Sequence, residues 1–251
     1  MLIGAPHWST GTLELLTPSV AELESRTVKP TEHHDQFLTA GRWSERLIKP
    51  VARLDVPTSI RLIRDRPILF AGNHRSLFDV FATLAVLGRF QVSSRILIRA
   101  DLVDSGATGV LLRRLGSIAT SRTNREEAED SAVEALQLGE TVSLMPEGRL
   151  VPPEDRSATG VGPGRPGLSR IARRSGAAVV PVAFIGTDRI WPRGSMPRLQ
   201  LPRPAVKIRF GAPMEMTGDD DQANVDAFMT ELGDLVREHE AADHGSADPA
   251  A

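Results

Sequence analysis

The stretch NHRSLFD at residues 73–79 separates two apolar runs, residues 68–71 and 80–87. The first run follows Pro67 and has the length of a buried strand, whereas the second is long enough for a helix that Gly88 would end. The stretch therefore predicts a strand-to-helix junction, where a side chain can be held firmly and still face solvent.

His74 and Asp79 are the chemically informative residues of this junction. Asp79 follows His74 by five residues, about one turn into the predicted helix. A carboxylate on one imidazole nitrogen fixes the tautomer and supports the imidazolium, which leaves the other nitrogen free to accept a proton. The spacing Ser76-x-x-Asp79 also matches a capping box, which would only stabilise the start of the helix. The stretch is thus compatible with a catalytic dyad and with a plain helix cap.

The composition describes a soluble globular protein. The chain has 251 residues, of which 41% are hydrophobic and 25% charged, enough to form one large domain. The absence of cysteine excludes disulfides, thiolate zinc sites and cysteine nucleophiles. With a net charge of -2 and 4% aromatic residues, nucleic acid is not an expected partner. No signal peptide or membrane-spanning run is apparent, which predicts a cytoplasmic location.

Apolar segments with strand and helix patterns alternate between residues 65 and 210. This alternation predicts an α/β fold: one domain with a central mixed, largely parallel sheet flanked by helices. The expected boundaries are an N-terminal helical or irregular arm at 1–41, the domain at 42–239 and a disordered tail at 240–251. The predicted strands are 68–71, 96–98, 116–120, 142–145, 178–184 and 206–210. One predicted helix starts at 76, and the others span 110–115, 124–139, 167–175 and 225–239.

Polar residues follow three of the predicted strands directly. Ligand crevices of open α/β sheets form at the carboxyl ends of strands, so these residues are expected to face one cleft. The planar guanidinium of arginine matches phosphate or carboxylate oxygens, although such an arginine also often serves as a surface ion-pair partner. The candidate site residues are His74 and Asp79, then Arg122, and then Glu147, Gly148 and Arg149.

Two segments carry an excess of positive charge. Residues 42–66 have a surplus of four positive charges and residues 186–211 a surplus of five. An anionic bilayer attracts each surface Lys or Arg by about 1 kcal/mol, and Trp43 and Trp191 lie within these segments. We therefore expect peripheral contact with the cytoplasmic face of the membrane, with an ordinary solvated surface as the alternative.

Four sequence blocks together resemble the glycerolipid acyltransferase family, in its 1-acyl-glycerol-3-phosphate acyltransferase or PlsC-like branch. The first block is Asn73 with His74-x4-Asp79, and the second is Gly-x-Ile-x-x-x-Arg at 116–122. The third is Pro-Glu-Gly-Arg at 146–149 and the fourth Val-Val-Pro-Val at 179–182. The third block commonly reads Glu-Gly-Thr-Arg in the family, whereas here Arg149 follows Gly148 directly.

The resemblance implies direct transfer of a fatty acyl group from acyl-CoA or acyl carrier protein to a lyso-glycerophospholipid. It implies conversion of lysophosphatidic acid to phosphatidic acid, with His74 as general base, no acyl-enzyme and no metal or further cofactor. Arg122 and Arg149 would anchor the acceptor phosphate. Glu147, next to Gly148, would bind the glycerol hydroxyls or hold an arginine.

Three other functions are compatible with the same residues. The first is an acyltransferase with a different lyso-lipid or polyol acceptor. The second is a metal-dependent phosphoesterase that uses His74, Asp79 and Glu147 as ligands. The third is a non-catalytic lipid-binding protein.

Overall fold

Strands and helices alternate through the described part of the chain. The structure is a computed structural model and describes residues 33–60, 65–104, 106–192 and 194–245. The strands are β1 (Arg53–Asp55), β2 (Ile68–Gly72), β3 (Ser94–Arg99), β4 (Ile118–Thr120), β5 (Thr141–Leu144), β6 (Ala178–Ile185) and β7 (Ala205–Phe210). The helices are α1 (His34–Ile48), α2 (Phe78–Arg89), α3 (Ala100–Val103), α4 (Gly106–Arg114), α5 (Arg125–Gln137), α6 (Gly167–Ser175), α7 (Thr187–Ile190) and α8 (Asp221–Gly245).

The strands form one seven-stranded sheet in the order β1-β7-β6-β2-β5-β3-β4. All neighbouring pairs are parallel except β6 and β7, which are antiparallel. This arrangement confirms the predicted α/β fold with a mixed, largely parallel sheet. The carboxyl ends of β2, β5, β3, β4 and β6 therefore lie at one edge of the sheet, which we call the carboxyl edge.

Both faces of the sheet are covered by helices, and successive side chains of β2 point alternately into the two cores. Leu69 and Ala71 belong to the core that packs against α5, α6 and α8. Ile68 and Phe70 point the other way, into the core formed with α1 and α2. A strand buried on both faces needs a continuous apolar run, which is what residues 68–71 provide.

The helical boundaries differ from the predicted ones at both ends of the domain. Helix α1 begins at His34, so residues 34–41 of the predicted arm are helical and pack on α2. Helix α8 continues to Gly245, past the predicted start of the tail at 240. The remaining predictions for the arm and the tail concern residues 1–32 and 246–251, which lie outside the described residues.

Asn124, the first residue of the predicted helix 124–139, occupies the N-cap position of α5 but does not cap the helix with its side chain. Its Oδ1 accepts hydrogen bonds from the backbone N–H and the hydroxyl of Ser121, at 2.6 and 2.7 Å. Its Nδ2 donates to the carbonyl of Ala119. The side chain therefore stabilises the turn that follows β4, which carries Arg122.

Two glycines allow α1 and α2 to approach closely. A Cβ on Gly41 would stand 2.6 Å from the carbonyl oxygen of Leu84, and one on Gly88 would stand 3.1 Å from the Cα of Gly41. Gly88 lies within α2, which ends one residue later, so its role is this contact rather than the predicted helix stop. Within the described residues, no helix is both long and apolar enough to span a bilayer.

We predict that Gly41→Ala lowers the free energy of unfolding by about 1–3 kcal/mol, because the added methyl group meets backbone atoms of α2 that cannot rotate away. Urea denaturation measures this change. The exposed neighbour Gln36 provides the control, and Gln36→Ala should change stability by no more than about 0.5 kcal/mol. A Gly41→Ala variant as stable as the parent chain would show that the helices are not in close contact.

Candidate active site

The turn that carries His74 is fastened to β6 by the preceding residue. The buried amide of Asn73 donates from Nδ2 to the carbonyl of Phe184 at 2.9 Å and accepts from the N–H of Phe184 at 2.8 Å. A side-chain amide has one donor side and one acceptor side. It can therefore replace the backbone hydrogen bonds between β2 and β6 beyond Gly72, where their pairing ends. The chain is therefore held at the carboxyl edge immediately before His74.

His74 and Asp79 are in direct contact. The Nδ1 atom of His74 lies 3.0 Å from Oδ2 of Asp79, and the imidazole remains 17% exposed while the carboxylate is fully buried. Oδ2 also accepts the backbone N–H groups of Arg75 and Ser76, at 2.8 and 2.9 Å. These bonds fix the carboxylate, and the carboxylate in turn orients the imidazole with Nδ1 as its donor.

The capping interaction exists alongside this dyad. Ser76 Oγ accepts the N–H of Phe78 at 3.0 Å, while Asp79 Oδ2 accepts the N–H of Ser76. The helix begins at Phe78 with Leu77 in the cap position, so Asp79 is the second helical residue. One carboxylate thus closes the first turn of α2 and orients the imidazole, and the two sequence interpretations are compatible.

The carboxylate of Glu147 is buried and binds backbone N–H groups instead of facing an open cleft. Its side chain is only 3% exposed, and its two oxygens accept the N–H groups of His74 and Gly162, at 2.5 and 2.7 Å. Burial raises the pKa of this carboxyl, partly offset by the two N–H donors. This geometry differs from the predicted contact with glycerol hydroxyls and gives Glu147 a positioning role behind His74.

The same geometry bears on the phosphoesterase alternative, which requires Glu147 as a metal ligand. Both carboxylate oxygens of Glu147 are already engaged by N–H donors, and the carboxylate of Asp79 is engaged by the imidazole. Among the described residues, no cluster of three or more His, Asp or Glu side chains is arranged to hold a metal ion. The contacts that do exist favour acid–base chemistry at His74.

Arg75 is a site residue that the sequence did not indicate. Its buried guanidinium donates to the carbonyl of Gly160 at 2.9 and 3.2 Å and pairs with Glu240 of α8. The loop at residues 152–166 is therefore tied to the turn that carries His74. The N–H of Val151 reinforces this link by donating to the carbonyl of His74 at 3.0 Å.

Gly148 and Arg149 lie after β5, the strand next to β2. Gly148 has φ +65°, and a Cβ there would stand 2.6 Å from Nε of Arg165, so the turn requires glycine. Arg149 pairs with Asp155 at 2.9 Å, and both side chains are partly exposed. Arg149 and Arg165 thus place two cations beside the turn that contains Glu147.

Arg122 lies farther from His74 along the same edge. It follows β4, three strand spacings from β2, or about 14 Å. Its side chain is exposed, and no hydrogen bond or ion pair joins it to another described residue. The structure thus brings His74, Asp79 and Glu147 together through hydrogen bonds, places Gly148 and Arg149 one strand away, and leaves Arg122 at the far end of the edge.

Comparisons with known proteins agree with this architecture. The family model described as Acyltransferase matches residues 53–185. A crystal structure of the 1-acyl-sn-glycerophosphate acyltransferase PlsC from Thermotoga maritima superposes with a TM-score of 0.61 at 18% sequence identity, covering 87% of this chain and 81% of that chain. The structural similarity shows that the two chains share a fold.

Two curated plant proteins are similar in sequence. Over 168 residues the chain is 28% identical to a chloroplastic 1-acyl-sn-glycerol-3-phosphate acyltransferase of Brassica napus, with 65% of this chain and 45% of that protein aligned. It is 27% identical over 168 residues to a protein of the same description from Arabidopsis thaliana, with 65% and 44% aligned. The aligned region spans less than half the length of each relative.

The buried carboxyl of Glu147 predicts a pH dependence of stability. Burial raises its pKa above the ordinary value of about 4.5, so the folded chain holds this proton more tightly than the unfolded chain. The resulting stabilisation is present below the ordinary value and is lost as the pH rises through the folded-state value.

We therefore subtract the unfolding free energy of Glu147→Gln from that of the parent chain. This value should fall as the pH rises from about 4 to about 8, because only the parent chain carries the titrating carboxyl. Urea denaturation at several pH values measures this difference, and effects of all other groups largely cancel in it. A difference that is constant or grows over this range would contradict the assignment.

Proposed function

The chain belongs to the acyltransferase family, whose model covers more than half of its length, and on this basis we propose that it acylates a lyso-glycerophospholipid. The proposed reaction converts lysophosphatidic acid to phosphatidic acid with a fatty acyl thioester as donor. The observation that carries the proposal is the hydrogen bond of 3.0 Å between His74 and Asp79 at the carboxyl edge. The names of the two plant relatives supply the acceptor class.

In this reaction His74 acts as the general base. With Nδ1 donating to Asp79, the lone pair of Nε2 accepts the hydroxyl proton as the oxygen attacks the thioester carbonyl. A C–O bond forms, the C–S bond breaks, and the imidazolium returns the proton to the departing thiolate. Asp79 stabilises the charged ring during these steps, and base catalysis of this kind typically contributes about 10²–10⁴-fold in rate. No acyl-enzyme is required.

The arginines of the carboxyl edge would bind the acceptor phosphate. Arg149 stands one strand from His74, and its partner Asp155 is partly exposed, so a phosphate can replace that carboxylate. Arg122 has no partner among the described residues and would approach the phosphate from the far end of the edge. Two guanidinium groups on one side of the base would hold the acceptor hydroxyl at a fixed distance from Nε2.

A narrow apolar pocket of about 20 Å³ lies near the dyad. It lies between α2 and the sheet and reaches Gly72, two residues before His74. Phe70, Val86, Phe184 and Phe210 are among its lining residues. Its lining side chains would have to move apart to admit a fatty acyl chain, whose thioester carbonyl would then lie at the carboxyl edge.

The donor is proposed to be acyl-CoA or acyl carrier protein, and the protein is proposed to work peripherally on the cytoplasmic face of a membrane. A lipid acceptor resides in a bilayer, so its hydroxyl is reached most directly from the membrane surface. The exposed side chain of Trp43, with Arg46 stacked over its ring at 5.1 Å, is suited to the boundary between headgroups and hydrocarbon.

We predict that His74→Ala lowers kcat/KM by about 10²–10⁴-fold, because the variant lacks the imidazole that accepts the hydroxyl proton. Product formation from acyl-CoA and lysophosphatidic acid is followed by mass spectrometry. Asp79→Asn should give a comparable loss, since an amide that donates to Nδ1 selects the tautomer with a proton on Nε2.

The matched control for this pair is His34→Ala, at the opposite edge of the sheet, where Nδ1 of His34 lies 3.0 Å from Oγ of Ser93. It should retain kcat/KM within about twofold. Parental turnover in the His74 variant would exclude His74 as the base. If the parent chain itself acylates no lyso-lipid but binds one, the protein is a lipid-binding protein.

We predict that Arg122→Ala raises the acceptor KM about 10–100-fold and changes the donor KM much less, because a charge-assisted bond to phosphate is lost. Initial rates with each substrate varied separately give both constants. Arg89→Ala removes an exposed arginine at the far end of α2 and should leave both constants unchanged. An unchanged acceptor KM in the Arg122 variant would remove Arg122 from the phosphate site.

A further inference from the structure

Three large apolar side chains protrude from the loop at residues 194–204, which connects α7 to β7. Met196, Leu199 and Leu201 are 80%, 73% and 86% exposed. Single exposed apolar residues are common on protein surfaces, but three within six residues form a patch. Such a patch indicates a partner that offers an apolar environment.

The loop stands beside the catalytic turn. The hydroxyl of Ser76, two residues after His74, donates to the carbonyl of Trp191 at 2.7 Å. Within the loop, the N–H of Arg198 donates to the carbonyl of Ile190, the last residue of α7, also at 2.7 Å. The loop returns to β7, which pairs with β6 at the carboxyl edge. The protruding side chains are therefore on the same edge of the sheet as His74.

The loop itself carries only positive charges. Residues 189–203 include four arginines and no acidic residue. Arg189, Arg198 and Arg203 are exposed, whereas the preceding Asp188 is occupied by an ion pair with Arg156 at 2.7 Å. Cationic side chains that surround apolar ones match the anionic headgroups and hydrocarbon of a bilayer.

The apolar surface continues onto α1. Arg203 donates to the carbonyl of Lys49, just beyond the end of α1, at 2.7 Å. Trp43 and Leu47 are exposed on this helix, at 58% and 61%. The loop and the end of α1 thus form one basic and apolar surface rather than two separate features.

We propose that the 194–204 loop inserts Met196, Leu199 and Leu201 into an anionic bilayer and so places His74 at its surface. The proposal rests on the proposed function, because a lipid acceptor must pass from the leaflet to the dyad. An acidic carrier protein would be recognised by the arginines, but the single acyl chain that it carries is transferred at His74 and provides no apolar layer for three protruding side chains. The hydrogen bonds to Ile190 and Lys49 hold the loop in place before it meets the membrane.

A single fluorescent label tests the insertion directly. The chain contains no cysteine, so Met196→Cys provides one site for an environment-sensitive fluorophore. On addition of phosphatidylcholine–phosphatidylglycerol vesicles, its emission should shift to shorter wavelength and be quenched by spin labels on the acyl chains. Leu138→Cys is the matched control, since Leu138 is 57% exposed after α5, at the opposite edge of the sheet. Its label should not respond.

Vesicle cosedimentation of the full chain measures the contribution of each group. Replacing Met196, Leu199 and Leu201 together with serine should lower the partition coefficient at least about hundredfold, whereas Leu138→Ser should not change it. Replacing Arg189 and Arg198 together with glutamine should lower it about 25-fold for anionic vesicles and little for purely zwitterionic ones.

Unchanged partitioning of the triple variant, or a Met196 label that responds to acyl carrier protein and not to vesicles, would overturn the proposal. A second assay measures turnover of a short-chain, water-soluble acceptor without vesicles. Turnover by the parent chain in this assay shows that the proposed function holds even if the membrane-insertion proposal fails. The triple variant should retain that turnover at the parental rate. Its circular dichroism melting curve should match the parent curve, since the replaced side chains are exposed.

Discussion

The arrangement depends on one oxygen atom, Oδ2 of Asp79. It accepts the backbone N–H groups of Arg75 and Ser76 and lies 3.0 Å from Nδ1 of His74. The carboxylate is fully buried, where an unpaired charge would be costly, so these donors stabilise it and confine its position. The turn after β2, the first turn of α2 and the tautomer of the imidazole are therefore all fixed by the same group.

Around this oxygen the fold holds the turn that carries His74 from three sides. Asn73 fastens it to β6, Glu147 connects the backbone of His74 to Gly162, and Arg75 reaches Gly160 and Glu240. These contacts come from strand ends, a loop and the last helix, and they leave the imidazole as the exposed member of the group. The carboxyl edge thus brings together the proposed base, two arginines and the basic, apolar surface that we propose contacts a membrane.

The sequence predicted the parts of this site that are local in the chain. The apolar runs around His74 and Asp79 predicted the strand and the helix, and the spacing of the two residues allowed their contact alongside a helix cap. The role of Glu147 was not predictable, because its partners lie 73 and 15 residues away and a carboxylate after a strand looks the same whether exposed or buried. Arg75 was missed for the same reason, since Gly160 and Glu240 are 85 and 165 residues distant. The contact of Gly41 with Gly88 likewise depends on helix packing rather than on local propensity.

The most direct test of the central claim is the tautomer of the His74 imidazole in the substrate-free protein near neutral pH. Long-range proton–nitrogen correlation spectra of the full chain report it, and the spectrum of His74→Gln assigns the signals. If Asp79 orients His74 as a base, Nδ1 carries the proton and Nε2 is bare. A proton on Nε2 with a bare Nδ1 would contradict the mechanism, because the nitrogen turned away from Asp79 could not accept the hydroxyl proton.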